Sequence, residues 1–297
     1  MRWLTALLAL WLAGCGQPAD DVYQPTLSPQ GGAMRMTYVV GIHPLHNPQR
    51  LAEIYGPLVD YIDAAMPEVV LKLEASRSYE EFEKKLYNGH FDFAMPNPYQ
   101  TVLALKRGYQ VFGKMADDAH FRGLILLRRD SPVQTEADLK GKTVAYPAPT
   151  ALAATLLPQH YLHSHGLDIN RDIEKLYVGS QESAIASVLR GHAAAAATWL
   201  VPWQRFSADA PEQASQLVVK WQTRSLPNNG WVARTDIPEP RVQQFAALLF
   251  GLKDSAAGRQ LLQRVPVTAF EPAADATYQP VRAFLENFAK TVRPIPY

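Results

Sequence analysis

Gly89-His-Phe-Asp-Phe-Ala-Met-Pro-Asn-Pro-Tyr99 is the stretch that decides the fold. Asn88-Gly89 stops a helix, residues 91–95 form a short apolar strand, and Pro96-Asn-Pro98 turns the chain into a helix expected over about 99–107. Upstream, residues 37–42 are a β-rich run ending at His43-Pro44. Leu51, Ile54, Tyr55, Leu58, Val59 and Ile62 then recur at helical spacing, predicting an amphipathic helix over 48–66. A strand at 69–73 and a helix at 78–87 follow, the helix opened by a Ser78/Glu81 capping-box pattern. Strands alternating with helices are the signature of a mostly parallel sheet with helices on its faces.

Downstream, strands are expected at 111–115 and 123–128, followed by a second series. That series places strands at 143–146, 174–178 and 193–198 and helices at about 151–163 and 183–190. The last strands fall at 217–221 and 230–233, and helices at 240–252, 255–264 and 280–291 close the chain. The same alternation thus occurs on each side of roughly residue 120 without a sequence repeat, which predicts two similar α/β lobes and excludes a solenoid.

The first residues carry an address. Met1-Arg2 is a positive start, residues 3–12 are apolar, and Leu12-Ala13-Gly14-Cys15 ends the run at the chain's only cysteine. Such a segment is laid out as a secretory signal peptide. It resembles a bacterial lipobox, which implies cleavage after residue 14, lipidation of Cys15 and two acyl chains holding the protein on a membrane outside the cytoplasm. Residues 15–35, rich in Pro, Gly, Gln, Ser and Asp, are expected to be a flexible tether. The 29 Lys and Arg fall to 28 once Arg2 is removed, against 28 Asp and Glu. That balance gives no electrostatic reason for a nucleic-acid partner.

Gly41-Ile-His-Pro44 and Ala52-Glu-Ile-Tyr-Gly-Pro-Leu-Val-Asp-Tyr61 are similar to the first strand and helix of phosphate/phosphite/phosphonate-type solute-binding proteins. Residues 89–99 resemble that family's G-x-x-D-(I/F)-A strand and turn. Arg128-Arg-Asp-Ser-Pro132 with Asp138-Leu-Lys-Gly-Lys-Thr-Val144 resembles its lobe-crossing segment, and Gly179-Ser-Gln-Glu-Ser183 with Val188-Leu-Arg-Gly191 its later helix. The resemblance spans about residues 36–290. It implies a type II periplasmic-binding-protein fold, with lobe 1 at 36–122 plus 226–297, lobe 2 at 123–225 and a ligand cleft between them. Open α/β sheets hold ligands beyond the carboxyl ends of their strands, here the loops at 43–46, 95–99, 147–153, 179–182 and 198–203. The expected ligand-binding residues are His43, Asn97, Tyr99, Thr150, Ala151, Leu152, Ala153, Gln181, Thr198 and Trp199.

The chain departs from the resemblance at its ligand loops. Where phosphonate binders carry hydroxyls at the start of a lobe 2 helix, this sequence has Pro149-Thr-Ala-Leu-Ala153. Backbone N–H groups survive that change and can still hold an anion, but hydroxyl donors do not. Gln181 replaces a family histidine, and Thr198-Trp199 with Pro202-Trp203 replaces a polar pair. Aromatic rings suit an apolar or cationic group, unless the two tryptophans only cover the lobe edge. Tyr99 either reaches ligand or packs under its helix. His43 and His46 have no Cys, Asp or Glu nearby to complete a metal site, so His43 is expected to hydrogen-bond ligand.

No activated nucleophile, P-loop or dinucleotide fingerprint is present in the sequence. The expected function is non-enzymatic, without metal or cofactor: a monomeric lipoprotein facing the periplasm or exterior captures a phosphonate- or phosphate-like oxyanion for an ABC permease. The alternative is a ligand-sensing lipoprotein of the same fold, with a less charged ligand, serving a membrane sensor or assembly system.

Overall fold

A computed structural model of the protein describes residues 35–295. The expected signal peptide, Cys15 and the tether up to residue 34 lie outside the described residues. The chain begins β1 (Met36–Ile42), α1 (Pro48–Ala64), β2 (Val69–Ala75), α2 (Tyr79–Tyr87), β3 (Phe93–Met95), α3 (Pro98–Leu105) and β4 (Tyr109–Met115). Asn47 caps α1 by accepting from the Arg50 N–H, and Pro48 follows where a missing N–H costs nothing. The helix buries Leu51, Ile54, Tyr55, Leu58, Val59 and Ile62, the stripe that its spacing predicts. Each such side chain contributes about 1.5–3 kcal/mol by leaving water. At α3, Asn97 and Gln100 form a reciprocal capping box.

The chain then crosses into a second sheet through β5 (Arg122–Arg128), β6 (Lys142–Tyr146), α4 (Leu157–Ser164), β7 (Ile173–Tyr177), α5 (Gln181–Leu189), β8 (Ala195–Trp199), α6 (Leu200–Asp209), α7 (Pro211–Ala214) and β9 (Leu217–Ser225). It returns through β10 (Gly230–Arg234), α8 (Glu239–Phe250), α9 (Ala256–Arg264), β11 (Phe270–Pro272) and α10 (Gln279–Thr291). The first sheet runs β11-β4-β10-β3-β1-β2 and the second β7-β6-β8-β5-β9. β1 is parallel to β2 and β3, and β6 is parallel to β7 and β8. The strands at the two crossovers, β5 and β10, run antiparallel to their neighbours. Lobe 1 denotes below the first sheet with its helices, and lobe 2 the second. No helix among the described residues is long and apolar enough to cross a membrane.

Three features differ from the sequence expectation. The helix expected over 151–163 opens with a π-helical turn, Leu152–Leu156, before α4. Pro158 accounts for it, because a proline ring clashes with the carbonyl four residues back and widening the turn relieves the clash. Residues 200–209 form a helix where only a loop was expected. Pro202 is compatible with it because the first-turn N–H groups have no intrahelical partner. β11 has three residues and ends in proline, too little for a strand pattern, and it sits at the sheet edge where proline is tolerated.

Candidate ligand-binding site

The carboxyl ends of β1 and β3 lie side by side in lobe 1, and the loops that leave them are tied together. The His43 backbone N–H and its Nδ1 both donate to the Met95 carbonyl, at 3.2 and 2.9 Å. Since a carbonyl only accepts, Nδ1 carries the proton, and in the neutral ring Nε2 is left as an acceptor. Burial, against the Met95 bond and helped by nearby His46, lowers the His43 pKa to about 4, so the ring is neutral at physiological pH. On the facing lobe, β6 leads into the loop at 147–151 and the π-helical turn. The Thr155 and Leu156 N–H groups both reach back to the Ala151 carbonyl, at 2.8 and 3.1 Å. The N–H groups of Leu152, Ala153 and Ala154 therefore precede the first intrahelical bonds and are donors for whatever lies before the turn.

Between these loops is a small cavity lined by His43, Tyr79, Asn97 and Asn229 together with the Ala151–Ala154 backbone turn, Gln181, Phe121 and Trp199. Its space is about 10 Å³, room for roughly one water, so the lobes are closed on each other. No charged side chain lines it. Thr198 donates to Gln181 Oε1 at 2.9 Å, which orients the Gln181 amide beside Tyr79 in the lining. Burial raises the Tyr79 pKa, so the phenol keeps its proton as a donor. Phe121 and Trp199 meet edge to face with centroids 5.3 Å apart and form an apolar wall. Asn229 Oδ1 is buried without a partner.

The closed arrangement is held by polar contacts across the cleft. Asn97 Nδ2 donates to the Thr150 carbonyl at 3.3 Å, and the Thr150 hydroxyl donates to Glu83 Oε1 at 2.5 Å. Gln100 donates to the same oxygen, and burial pushes the Glu83 carboxyl pKa up. The Arg293 guanidinium, beyond α10, reaches the Pro149 carbonyl at 2.9 Å. Farther out, His46 Nδ1 bonds Glu182 Oε1 and Arg50 pairs with Asp209, each at 2.8 Å. Burial alone would raise the Glu182 pKa, but the His46 bond and charge outweigh it and hold the carboxyl below its ordinary range.

A family model described as the periplasmic phosphonate substrate-binding protein of ABC transporters matches residues 40–278. The chain belongs to that family. Among solved structures it is similar to a binding-protein component of an ABC phosphonate transporter from Pseudomonas aeruginosa, at 19% identity and TM-score 0.79, covering 86% of this chain and 88% of that one. PhnD1 from Prochlorococcus marinus, solved in complex with methylphosphonate, matches at 17% identity and TM-score 0.78, covering 86% and 99%. An alkanesulfonate-binding protein from Xanthomonas axonopodis pv. citri, bound to MOPS, matches at 18% identity and TM-score 0.64, covering 88% and 94%. At these identities the structures establish the two-lobed type II fold. As a substrate-binding protein of an ABC transporter, the chain binds a small molecule in the periplasm, works with a permease and is not an enzyme.

Of the residues singled out from the sequence, the structure brings His43, Asn97, Ala151, Leu152, Ala153, Gln181 and Trp199 to the cavity. Thr198 is one step behind it, bonded to Gln181. Thr150 faces a neighbouring groove with Glu83, and its hydroxyl bridges the lobes. Tyr99 is buried as the second residue of α3 and does not line the cavity. Tyr79, Phe121, Ala154 and Asn229 complete the lining and were not anticipated. Phe121 and Asn229 lie on the two crossovers between sheets, where no strand or helix period marks a cleft-facing position. Tyr79 opens α2 and reads from sequence as an ordinary first-turn residue.

The neutral state of His43 has a consequence for stability. Its folded-state pKa lies below that of a free histidine, so the unfolded chain takes up the proton first. The contribution is present above pH 6.5 and is lost as the pH falls toward 4. Between pH 7 and 4, urea unfolding should show the wild-type protein losing about 3 kcal/mol that His43→Gln does not lose. Equal acid limbs for the two proteins would show that the ring is not held neutral by burial.

Proposed function

We propose that this protein captures a small oxyanion of the phosphonate type between its closing lobes and delivers it to the permease of an ABC transporter, while Cys15 anchors it to the membrane by lipid. One observation carries the ligand reading: the N–H groups that open the helix after β6 precede its first hydrogen bonds and border a cavity with no charged lining residue. A dianion stripped of water there would have lost several kcal/mol of hydration. The donors at hand, Tyr79 and a few backbone N–H groups, return about 1.5–3 kcal/mol each for a charged partner. The favoured ligand therefore carries a single negative charge, with an apolar part against Phe121, Leu152 and Trp199.

Titration calorimetry with methylphosphonate, aminoethylphosphonate and monomethyl phenylphosphonate tests this. The monoanionic ester should bind at least about tenfold more tightly than either simple phosphonate. A submicromolar constant for either simple compound would show that backbone donors alone satisfy the more highly charged head. The anchor is tested separately. Cys15→Ser removes the only thiol that can be acylated, so the variant should leave the membrane fraction on carbonate washing, and its retention there would refute the lipid anchor.

A further inference from the structure

We propose that Gly123 is a positioning residue for the oxyanion site: its lack of a side chain lets the Ala153 carbonyl seat against β5, which aims the Ala154 N–H into the cleft. An ideal Cβ built on Gly123 would lie 2.5 Å from the Ala153 oxygen and 2.7 Å from Pro158 Cγ. The carbonyl therefore occupies the space that any other residue would fill. The Ala153–Ala154 peptide is trans, as are all the described peptide bonds, so its C=O and N–H point in opposite directions. With the oxygen against the sheet, the N–H is directed away from it, on the side where Ala154 lines the cavity.

Pro158 completes the device. It lies four residues after Ala154 and five after Ala153, and having no N–H it offers neither carbonyl the bond that an α- or π-helix would make. The Leu157 N–H, which an α-helix would give to Ala153, bonds the Leu152 carbonyl instead, so the Ala153 oxygen is free of the helical ladder and is located by packing on Gly123. Gly123 also pairs with Trp199 across β5 and β8, so one strand position sets both the donor turn and the apolar wall.

A methyl group at position 123 must push the Ala153 carbonyl back by almost an ångström, from 2.5 Å to about 3.4 Å, to reach an ordinary contact, and the N–H of the same rigid peptide moves with it. Hydrogen bonds to a charged group are sensitive to displacements of that size.

This inference rests on the reading that the opening turn holds the oxyanion. The test compares wild type, Gly123→Ala and Gly113→Ala, using methylphosphonate, monomethyl phenylphosphonate and inorganic phosphate as probes. Gly113 is a crowded glycine in lobe 1, its built Cβ 2.9 Å from the Phe250 ring, so it overpacks the fold without touching the site. With the probe that wild type binds best, Gly123→Ala should weaken affinity at least about tenfold and lose the ligand-induced NMR shift of the Ala154 amide. Gly113→Ala should stay within about twofold of wild type. If Gly123→Ala folds poorly, Pro158→Ala decides, because restoring an N–H there should contract the π turn and weaken binding in the same way. Unchanged affinity in the deciding variant, or an equal loss in Gly113→Ala, overturns the positioning role alone. Wild-type binding that leaves the Ala154 amide unmoved, or no binding of any probe, overturns the oxyanion reading and this role with it.

Discussion

Ala151→Phe should abolish ligand-dependent stabilisation, with a loss of affinity of at least about a hundredfold. Ala151 is 2% exposed and lines a cavity of about 10 Å³ between the closed lobes. A phenyl ring has no place there. It must hold the lobes apart, which breaks the Asn97–Thr150, Thr150–Glu83 and Arg293–Pro149 contacts that span the cleft. A ligand that binds only the closed state cannot then raise the melting temperature by mass action. The closed lobes bury the whole turn, with Ala151, Leu152 and Ala153 all nearly inaccessible to solvent. The ligand-free variant should therefore scatter as a wider particle at small angles, with overpacking relieved by opening. A preserved ligand-induced melting shift would show that the ligand does not contact this turn.

The largest effect on stability is expected at Trp231, in β10 between β4 and β3. Its ring is fully buried against Phe245, Phe270 and Phe112, at centroid distances of 5.5, 6.0 and 6.3 Å, and Phe245 stacks on Phe93 at 4.5 Å. Trp231→Ala removes the centre of that cluster and should cost about 3–5 kcal/mol of unfolding free energy. Trp231 Nε1 is buried without a partner, so Trp231→Phe deletes an unsatisfied N–H while keeping most of the ring. That variant should cost less than about 1.5 kcal/mol. Urea unfolding with an unchanged m-value measures both. A cost below about 1 kcal/mol for Trp231→Ala would mean that the cluster collapses around the gap.

The elements that sequence alone located are those whose pattern is local. The stripe from Leu51 to Ile62 and the Ser78 cap each depend on residues three or four apart, and both appear where their spacing places them. The π turn is half legible: Pro158 announces a disturbance, but its form depends on Gly123, 35 positions earlier in the chain and in contact only through the fold. The same limit governs the site. His43, Asn97, Gln181 and the turn at 151–153 follow strand ends and could be placed in the cleft by topology. Asn229 and Phe121 could not, because crossover segments carry no period that says which side faces the cleft.

By itself the sequence determined two α/β lobes, the strand ends that border the cleft and the loss of hydroxyls at 151–153, because apolar periodicity and residue identity are properties of neighbours along the chain. Tertiary structure alone decided how those residues are used. It gave the Thr150 hydroxyl to Glu83, set Thr198 behind the cavity on Gln181 and left Tyr99 outside the cavity. Each of these turns on which polar group meets which partner when distant segments close together, and a buried hydrogen bond is set by separations of about 3 Å that no sequence spacing encodes.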